Sequence, residues 1–578
     1  MNISNLNKAA ILIGRMADIK TPTNPIIPHK KEKPALGAAT PDAFERCTPE
    51  EVGISSEYIR DFVEKLSQNK SLNMHSIIMS RDGKIFYEAA FGTHRLDVHK
   101  ATFSLCKSVV SLLTGIAMDE GLISHDTRII DIFSDLTNPI IRLKLKELTV
   151  WHLLTMQSGI RFNEAECMTD NDWVRAFLRS STENMGKKFS YNSLNTYMLA
   201  AAIERVTGKS FKKYLEEKLF SPLGISQYHW EKCPSGTEKG GWGLYISPYD
   251  VLKLGMLALN GGKFNGKQIV SDQYITAATS FKVTTPSSCG AFDYGYQMWV
   301  GRDTDTFLFN GMFGQNCLCF KKNGIIIVSN AGCDELFQGS EYYKNALSFF
   351  TKTFPAVIKA SPSKHKALLR YTDTLKYSAK KKSFLGHVFF GDRQGKNLKA
   401  LCGQLFKTNC VNSTGLLPTV LQVVHNNYSS GLESLAFCCE DGKFYLMYNE
   451  FTARHKIPLE LNGVARCQLS FDGDSYLVST LCRFAVNEYG NTVFLIDLDF
   501  NETPCTRHLK LVFTDEEITI FQSEKPGKET VESLIGTFVQ DLSEKPVISS
   551  VIEKLDTEYI LYRTEKIFLS KHRLYLKK

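Results

Sequence analysis

The pattern of apolar and polar positions predicts helices mixed with strands in the first part of the chain. A short apolar stretch over 75–80, the turn signal Asp82-Gly83 and a returning stretch over 84–90 predict a hairpin. From Ser104 to Gly121 apolar residues recur at helical spacing, which predicts a helix capped by that glycine. The same criteria predict a helix that starts at 151–156 and ends near Gly159, a helix over 195–206, and strands over 306–309, 317–320 and 325–329.

The pattern changes near residue 360, where a polar, basic stretch begins at Ser361-Pro362. Beyond it, short apolar runs between turn signals predict strands, which favours a barrel or a sandwich. Examples of these runs are 443–448, 492–496, 509–513 and 518–521. The residues before Thr48 include a Pro-rich stretch that is not expected to pack. We therefore expect a flexible tail over 1–44, a folded domain over 45–358, a linker over 359–382 and a β-rich domain of unknown role over 383–578.

Composition narrows the class of protein. The 578 residues include 43% hydrophobic and 22% charged residues, which is ordinary for a globular protein. The net charge of +8 is a mild excess for this length, so we expect no nucleic-acid partner. The chain has 15 cysteines but no Cys-x-x-Cys, which is typical of free thiols in a reducing compartment. No apolar run is long enough to span a bilayer. We expect a cytoplasmic protein without a membrane span.

The first candidate for chemistry is Ser104-Leu105-Cys106-Lys107. A serine hydroxyl is a poor nucleophile unless a base lies within hydrogen-bond reach. Positions i and i+3 of a helix share a face, so the Lys107 amine can meet the Ser104 hydroxyl. Free N–H groups at the first turn of a helix can also stabilise negative charge on a substrate oxygen. The motif alone is common by chance.

Two later stretches could complete such a site. In Tyr191-Asn192-Ser193 the phenol could relay a proton, although Tyr191 could equally be a packed residue beside an N-cap at Ser193. In Asn310-Gly311-Met312 a strand edge could offer an N–H group to an oxyanion, although an ordinary hairpin bend is the alternative.

Taken together and in this order, the motifs resemble those of the β-lactamase-related serine hydrolases. That family includes class C β-lactamases, D-alanyl-D-alanine carboxypeptidases, related esterases and 6-aminohexanoate-dimer hydrolases. Further stretches that match sequences typical of this family are 81–84, 104–121, 148–156, 158–159, 240–244, 266–270 and 294–296. The resemblance covers residues 45–355. It implies an α+β fold of the β-lactamase/transpeptidase type, in which an antiparallel sheet flanked by helices meets an all-helical part at the site, here followed by the C-terminal β-rich domain.

The resemblance also implies roles for residues. Ser104 would form the acyl-enzyme, Lys107 would accept its proton and Tyr191 would share the proton traffic. The N–H groups of Ser104 and Met312 would form the oxyanion hole. The remaining expected substrate-binding residues are Gly311, Asn310 and Ser193. The expected chemistry involves no metal and no cofactor, and its substrate is a small molecule.

Two positions depart from the family pattern. Ser193 stands where many members have asparagine, and Phe309 replaces the lysine of a Lys-Thr-Gly motif. Because phenylalanine cannot attract a substrate carboxylate, we expect weak or absent β-lactamase and carboxypeptidase activity, and an ester or uncharged amide as substrate. The alternative is a binding or regulatory protein that has lost turnover. Cys106 and His152 are expected to be structural.

Overall fold

The computed structural model describes residues 33–167, 170–334, 340–377, 393–409, 414–425, 431–461, 463–514, 517–527, 530 and 570–577. Its first sheet is antiparallel and confirms the predicted hairpin and strands. Seven strands follow one another across it: Lys84–Ala90, Met74–Arg81, Ile325–Ala331, Gln315–Phe320, Thr306–Gly311, Trp299–Gly301 and Phe292–Tyr294. The strand Ile325–Ala331 is buried along its whole length, as expected for the middle of a sheet that is covered on both faces.

Helices cover both faces of this sheet and form the helical part of the domain. The α-helices described in this part are Ser56–Gln68, Cys106–Asp119, Ile129–Ile132, Pro139–Lys144, Val150–Leu154, Glu164–Cys167, Trp173–Arg179, Ser193–Thr207, Phe211–Leu215, Pro248–Leu259, Asp272–Ala278 and Glu341–Phe350. The helix predicted from Ser104 begins two residues later as an α-helix, since Phe103–Leu105 is a 3-10 turn. Almost every side chain of Cys106–Asp119 is buried, so this helix lies in the core. The architecture is the expected α+β fold of the β-lactamase type.

The C-terminal domain is a single antiparallel sheet of ten described strands. Their order is Arg454–Leu459, Lys443–Glu450, Leu432–Glu440, Leu405–Thr408, Ser570–Leu576, Glu517–Lys525, Thr506–Phe513, Thr492–Phe500, Asp474–Val486 and Ala465–Phe471. The first and last of these strands contact each other, so the sheet curls into a near-barrel. Apolar side chains alternate along the strands and fill the interior. Two described helices, Arg393–Leu401 and Thr419–His425, accompany this sheet.

The structure differs from the expected flexible tail and linker. Residues 1–32 and 378–392 lie outside the described residues. Lys33, within the expected tail, is buried because it forms an ion pair with Glu502 of the C-terminal domain. Within the expected linker, the helix Pro362–Leu375 packs on Ser56–Gln68. Both segments hold their place because they bury polar or apolar groups against folded parts of the chain. Among the described helices, none is long and apolar enough to cross a membrane.

Candidate active site

Ser104 lies at the entrance to the buried helix Cys106–Asp119, and Lys107 lies one turn further along. The Nζ of Lys107 donates a hydrogen bond of 2.8 Å to the Oγ of Ser104 and another of 2.7 Å to the carbonyl of Gly241. Lys107 is 1% exposed, whereas Ser104 keeps partial contact with solvent. The predicted pair is therefore brought together, with the amine held in the protein and the hydroxyl at its surface.

The ring of Tyr191 lies beside this pair. The Nζ of Lys107 lies 5.0 Å from the centre of the Tyr191 ring, close enough for a cation–π contact when the amine is charged. The ring stacks against Trp299 at 5.9 Å, and Phe189 and Tyr294 pack around it. Even so, Tyr191 is 40% exposed, so one side of the ring faces solvent. The aromatic neighbours fix its position and leave it reachable by a small molecule.

The helix that follows Tyr191 begins at Ser193, and its N-cap is Asn192 rather than Ser193. The side chain of Asn192 accepts from the N–H of Leu194 and donates to the carbonyls of Ile160 and Phe162. Ser193 is buried at the first helical position, and its own N–H donates to Oε1 of Glu164. The small side chain matters for packing, because the glycine loop at 240–241 lies directly against it.

The backbone of Gly241 lies so close to the helix Ser193–Thr207 that a residue with a Cβ would not fit there. A Cβ at position 241 would lie 2.7 Å from the Ser193 carbonyl oxygen and 2.8 Å from the Ser193 Cβ. The close approach brings the carbonyl of Gly241 to the Lys107 amine. Sequence reasoning did not assign Gly241 to the site, although the pair Gly240-Gly241 was a signal that backbone comes close to something there.

The end of the strand Thr306–Gly311 contacts the segment just before Ser104 through Gly311. A Cβ on Gly311 would lie 2.0 Å from the Thr102 carbonyl oxygen, so only glycine allows this contact. Met312 begins the next turn, in which Phe313 has a left-handed φ of 63°. Phe103 is also left-handed, with a φ of 49°, and its ring meets that of Phe313 edge-on at 5.1 Å. Two strained residues thus adjoin the N–H groups of Ser104 and Met312.

Asn310 belongs to a polar network behind this turn. Its Nδ2 donates to the Oη of Tyr343 at 2.6 Å and to the Oδ1 of Asn316 at 3.0 Å. The hydroxyl of Tyr343 in turn donates to the same Asn316 oxygen. Burial raises the pKa of Tyr343 well above its ordinary value, so the phenol stays a donor. The network anchors the strand end whose next residues are Gly311 and Met312.

Two neighbouring side chains, Cys106 and His152, have the structural surroundings that the sequence predicts, and Phe309 is buried beside Cys106. Phe309 is fully buried in the same apolar cluster as Cys106, so no cation occupies that position. Burial raises the pKa of the Cys106 thiol to about 12, and its S–H donates to the carbonyls of Phe103 and Gly240. The Nδ1 of His152 accepts from the N–H of Thr149, which caps a short helix. Within the described ranges, no group of histidine, cysteine and acidic residues could hold a metal ion.

Comparison with known proteins finds similarities of three kinds. Residues 59–331 match the beta-lactamase family model. An uncharacterized protein of Alkalihalophilus pseudofirmus is 24% identical over 248 residues, which covers 38% of this chain and 68% of that protein. A Bacillus anthracis protein assigned as a 6-aminohexanoate-dimer hydrolase superposes with a TM-score of 0.44 and 17% identity, over 56% of this chain and 89% of that one. The octameric penicillin-binding protein homologue from Pyrococcus abyssi superposes with a TM-score of 0.40 and 18% identity, over 77% of this chain and 98% of that one. The similarity to the beta-lactamase family therefore lies in residues 59–331, the part of the chain that holds Ser104, Lys107 and Tyr191.

Proposed function

We propose that this protein is a serine hydrolase that cleaves a small ester or amide through an acyl-enzyme on Ser104. The observation that carries the proposal is the 2.8 Å contact between the Lys107 amine and the Ser104 hydroxyl, beside the exposed ring of Tyr191. A nucleophile, a base and a second proton-carrying group within reach of solvent are what acyl transfer on serine requires.

In the first half-reaction the Ser104 Oγ attacks the substrate carbonyl while its proton passes to the Nζ of Lys107. The carbonyl oxygen becomes an oxyanion that accepts from the N–H groups of Ser104 and Met312. As the bond to the leaving group breaks, that group takes a proton through Tyr191. In the second half-reaction a water molecule attacks the acyl ester, gives up a proton to the same groups and releases the acid, which restores the Ser104 hydroxyl.

The Gly241 carbonyl contributes to the proposed reaction by holding the Lys107 amine in position. Lys107 has a flexible four-carbon stem, so its nitrogen needs fixed partners to stay beside Ser104. The 2.7 Å hydrogen bond to Gly241 supplies one such partner from a different loop. We infer that this carbonyl compensates for Ser193, whose short side chain replaces the asparagine of related motifs and lets the loop come close.

The substrate preference follows from Phe309. A side chain that is fully buried and uncharged cannot attract a carboxylate at the end of this strand. We therefore propose that esters or uncharged amides are better substrates than β-lactams or peptides with a free C-terminus. The aromatic rings around Tyr191 favour an apolar or aromatic group on the substrate.

A fluorophosphonate probe tests the proposal on the full-length protein. We expect stoichiometric labelling of the wild type, none in Ser104→Ala, and undiminished labelling in Cys106→Ala, which removes the nearby thiol as an alternative nucleophile. No labelling of folded wild-type protein would favour the alternative, a binding or regulatory protein without turnover. A panel of p-nitrophenyl esters, nitrocefin and short peptides then separates the substrate classes. Rapid nitrocefin turnover would contradict the interpretation of Phe309.

A further inference from the structure

A turn of the C-terminal sheet lies against the strand that leads to Ser104. This turn, residues 501–505, joins the strands Thr492–Phe500 and Thr506–Phe513. The N–H of Ala101 donates a 2.7 Å hydrogen bond to the carbonyl of Glu502. The neighbouring Lys100 donates through its Nζ to the carbonyl of Asn501. The backbone three residues before the nucleophile is therefore hydrogen-bonded to the other domain.

The side chain of Glu502 ties the same turn to two more parts of the chain. It is 1% exposed, and both carboxylate oxygens lie 3.0 Å from the Nζ of Lys33, which is 2% exposed. One of those oxygens also accepts from the N–H of Leu477. The Lys33 ammonium lies 4.9 Å from the ring centre of Tyr245 and 4.8 Å from that of Tyr476. An ion pair is thus enclosed at the junction and shielded from water.

This ion pair lies directly behind the nucleophile strand. Tyr245 is part of the strand Leu244–Ile246, where it pairs in register with Ala101. Ala101 therefore contacts the Glu502 carbonyl through its N–H and pairs on the other side with Tyr245, whose ring lies beside Lys33. A shift of Glu502 would be transmitted to Ala101 through both of these contacts.

An apolar contact links the junction to the two strained residues of the site. Phe103 and Phe313 belong to the same buried cluster as Ala101, Tyr245 and the interior of the C-terminal sheet. Left-handed backbone at a phenylalanine persists only where the surroundings hold it in place. The N–H of Ser104 comes directly after Phe103 in the chain, and the N–H of Met312 comes one residue before Phe313.

We propose that Glu502 is a positioning residue for catalysis: with Lys33 it holds the 501–505 turn against Ala101, and thereby keeps the Ser104 segment in its strained conformation. The inference rests on the proposed hydrolase function and assigns the C-terminal domain a part in that function. The domain acts as a support for the active site, with no separate ligand needed to explain its contact with the first domain.

The test compares two charge-removing substitutions of matched chemistry. Glu502→Gln keeps the size and an acceptor for the Leu477 N–H but weakens the ion pair with Lys33. Glu524→Gln makes the same change in the buried ion pair with Arg507, 2.9 Å long and inside the C-terminal sheet. We expect Glu502→Gln to lower kcat and the phosphonate labelling rate at least tenfold with KM within twofold. Glu524→Gln should lower the melting temperature but leave kcat within twofold of the wild type.

Equal losses of kcat in the two variants would overturn the proposal, because general destabilisation would then explain both. Unchanged kcat in Glu502→Gln would overturn it as well. If Glu502→Gln does not fold, Glu502→Asp keeps the charge but shortens the side chain by one methylene. A kcat reduced severalfold is expected for that variant, and wild-type kcat would refute the role.

Hydrogen exchange supplies a readout that does not depend on turnover. In a peptide spanning residues 98–108, we expect the amides to exchange at least tenfold faster in Glu502→Gln than in the wild type or Glu524→Gln. Unchanged exchange would refute the support role even in an active enzyme. Wild-type protein that resists the phosphonate would refute the hydrolase function instead, so the two failures are distinguishable.

Discussion

Gly241→Ala is the sharpest test of the site geometry. The added methyl group would lie 2.7 Å from the Ser193 carbonyl oxygen and 2.8 Å from the Ser193 Cβ, both well inside ordinary contact distance. Ser193 cannot yield, because it begins the buried helix Ser193–Thr207. The 241 peptide must therefore move away from the helix and carry its carbonyl off the Lys107 amine, which now donates to it at 2.7 Å.

The size of the effect follows from that hydrogen bond. A bond involving a group that becomes charged during the reaction contributes about 1.5–3 kcal/mol. Each ~1.4 kcal/mol of lost transition-state stabilisation lowers the rate about tenfold. We expect kcat for a p-nitrophenyl ester to fall about 10- to 100-fold, with KM little changed because the loop holds the catalytic amine rather than the substrate.

Gly527→Ala is the matched control. Its backbone is not left-handed, and a Cβ there would meet nothing within 4 Å. We expect wild-type kcat and an unchanged melting temperature. A Gly241→Ala variant with wild-type kcat would refute the reasoning, since it would show that Lys107 needs no support from this carbonyl.

Three further changes probe other parts of the structure. Tyr191→Phe keeps the aromatic packing and removes the hydroxyl, so kcat should fall about 10²- to 10⁴-fold with the melting temperature unchanged; a wild-type rate would exclude proton transfer through the phenol. Gly311→Ala places a methyl group 2.0 Å from the Thr102 carbonyl oxygen, so phosphonate labelling should be lost in protein that still folds by circular dichroism; retained labelling would exclude Met312 from the oxyanion hole. His75 and His94 stack at 3.6 Å, and burial lowers the pKa of both. Below the ordinary histidine pKa the unfolded chain binds more protons than the fold, so each histidine should cost about 1.4 kcal/mol of stability per pH unit as pH falls. Urea unfolding at pH 7.5, 6 and 5 should show a smaller loss in His94→Phe, and an equal loss would refute the assignment.

The sequence by itself determined the features that depend on neighbouring residues. The spacing of Ser104 and Lys107 predicts their contact, because residues three apart share a face of any helical turn. Asp82-Gly83 predicts the first hairpin for an equally local reason. The strand-rich character of the C-terminal domain is visible in the sequence as short apolar runs between turn signals, and the structure has ten described strands there. The motif order carried the family resemblance, and the burial of Phe309 agrees with its lack of charge.

Only the tertiary structure decided which distant groups meet. Lys33 lies in a polar stretch that predicted a flexible tail, and its burial depends on Glu502, a residue that no local pattern connects to it. The left-handed backbone of Phe103 is likewise unfavourable locally and exists because packing against Phe313 holds it. The Gly241 carbonyl became a partner of Lys107 only through the approach of one loop to one helix. Helices and turns depend on interactions between residues that are close in sequence. The three contacts of this paragraph join residues that are distant in sequence, so they form only when the complete fold buries those residues together.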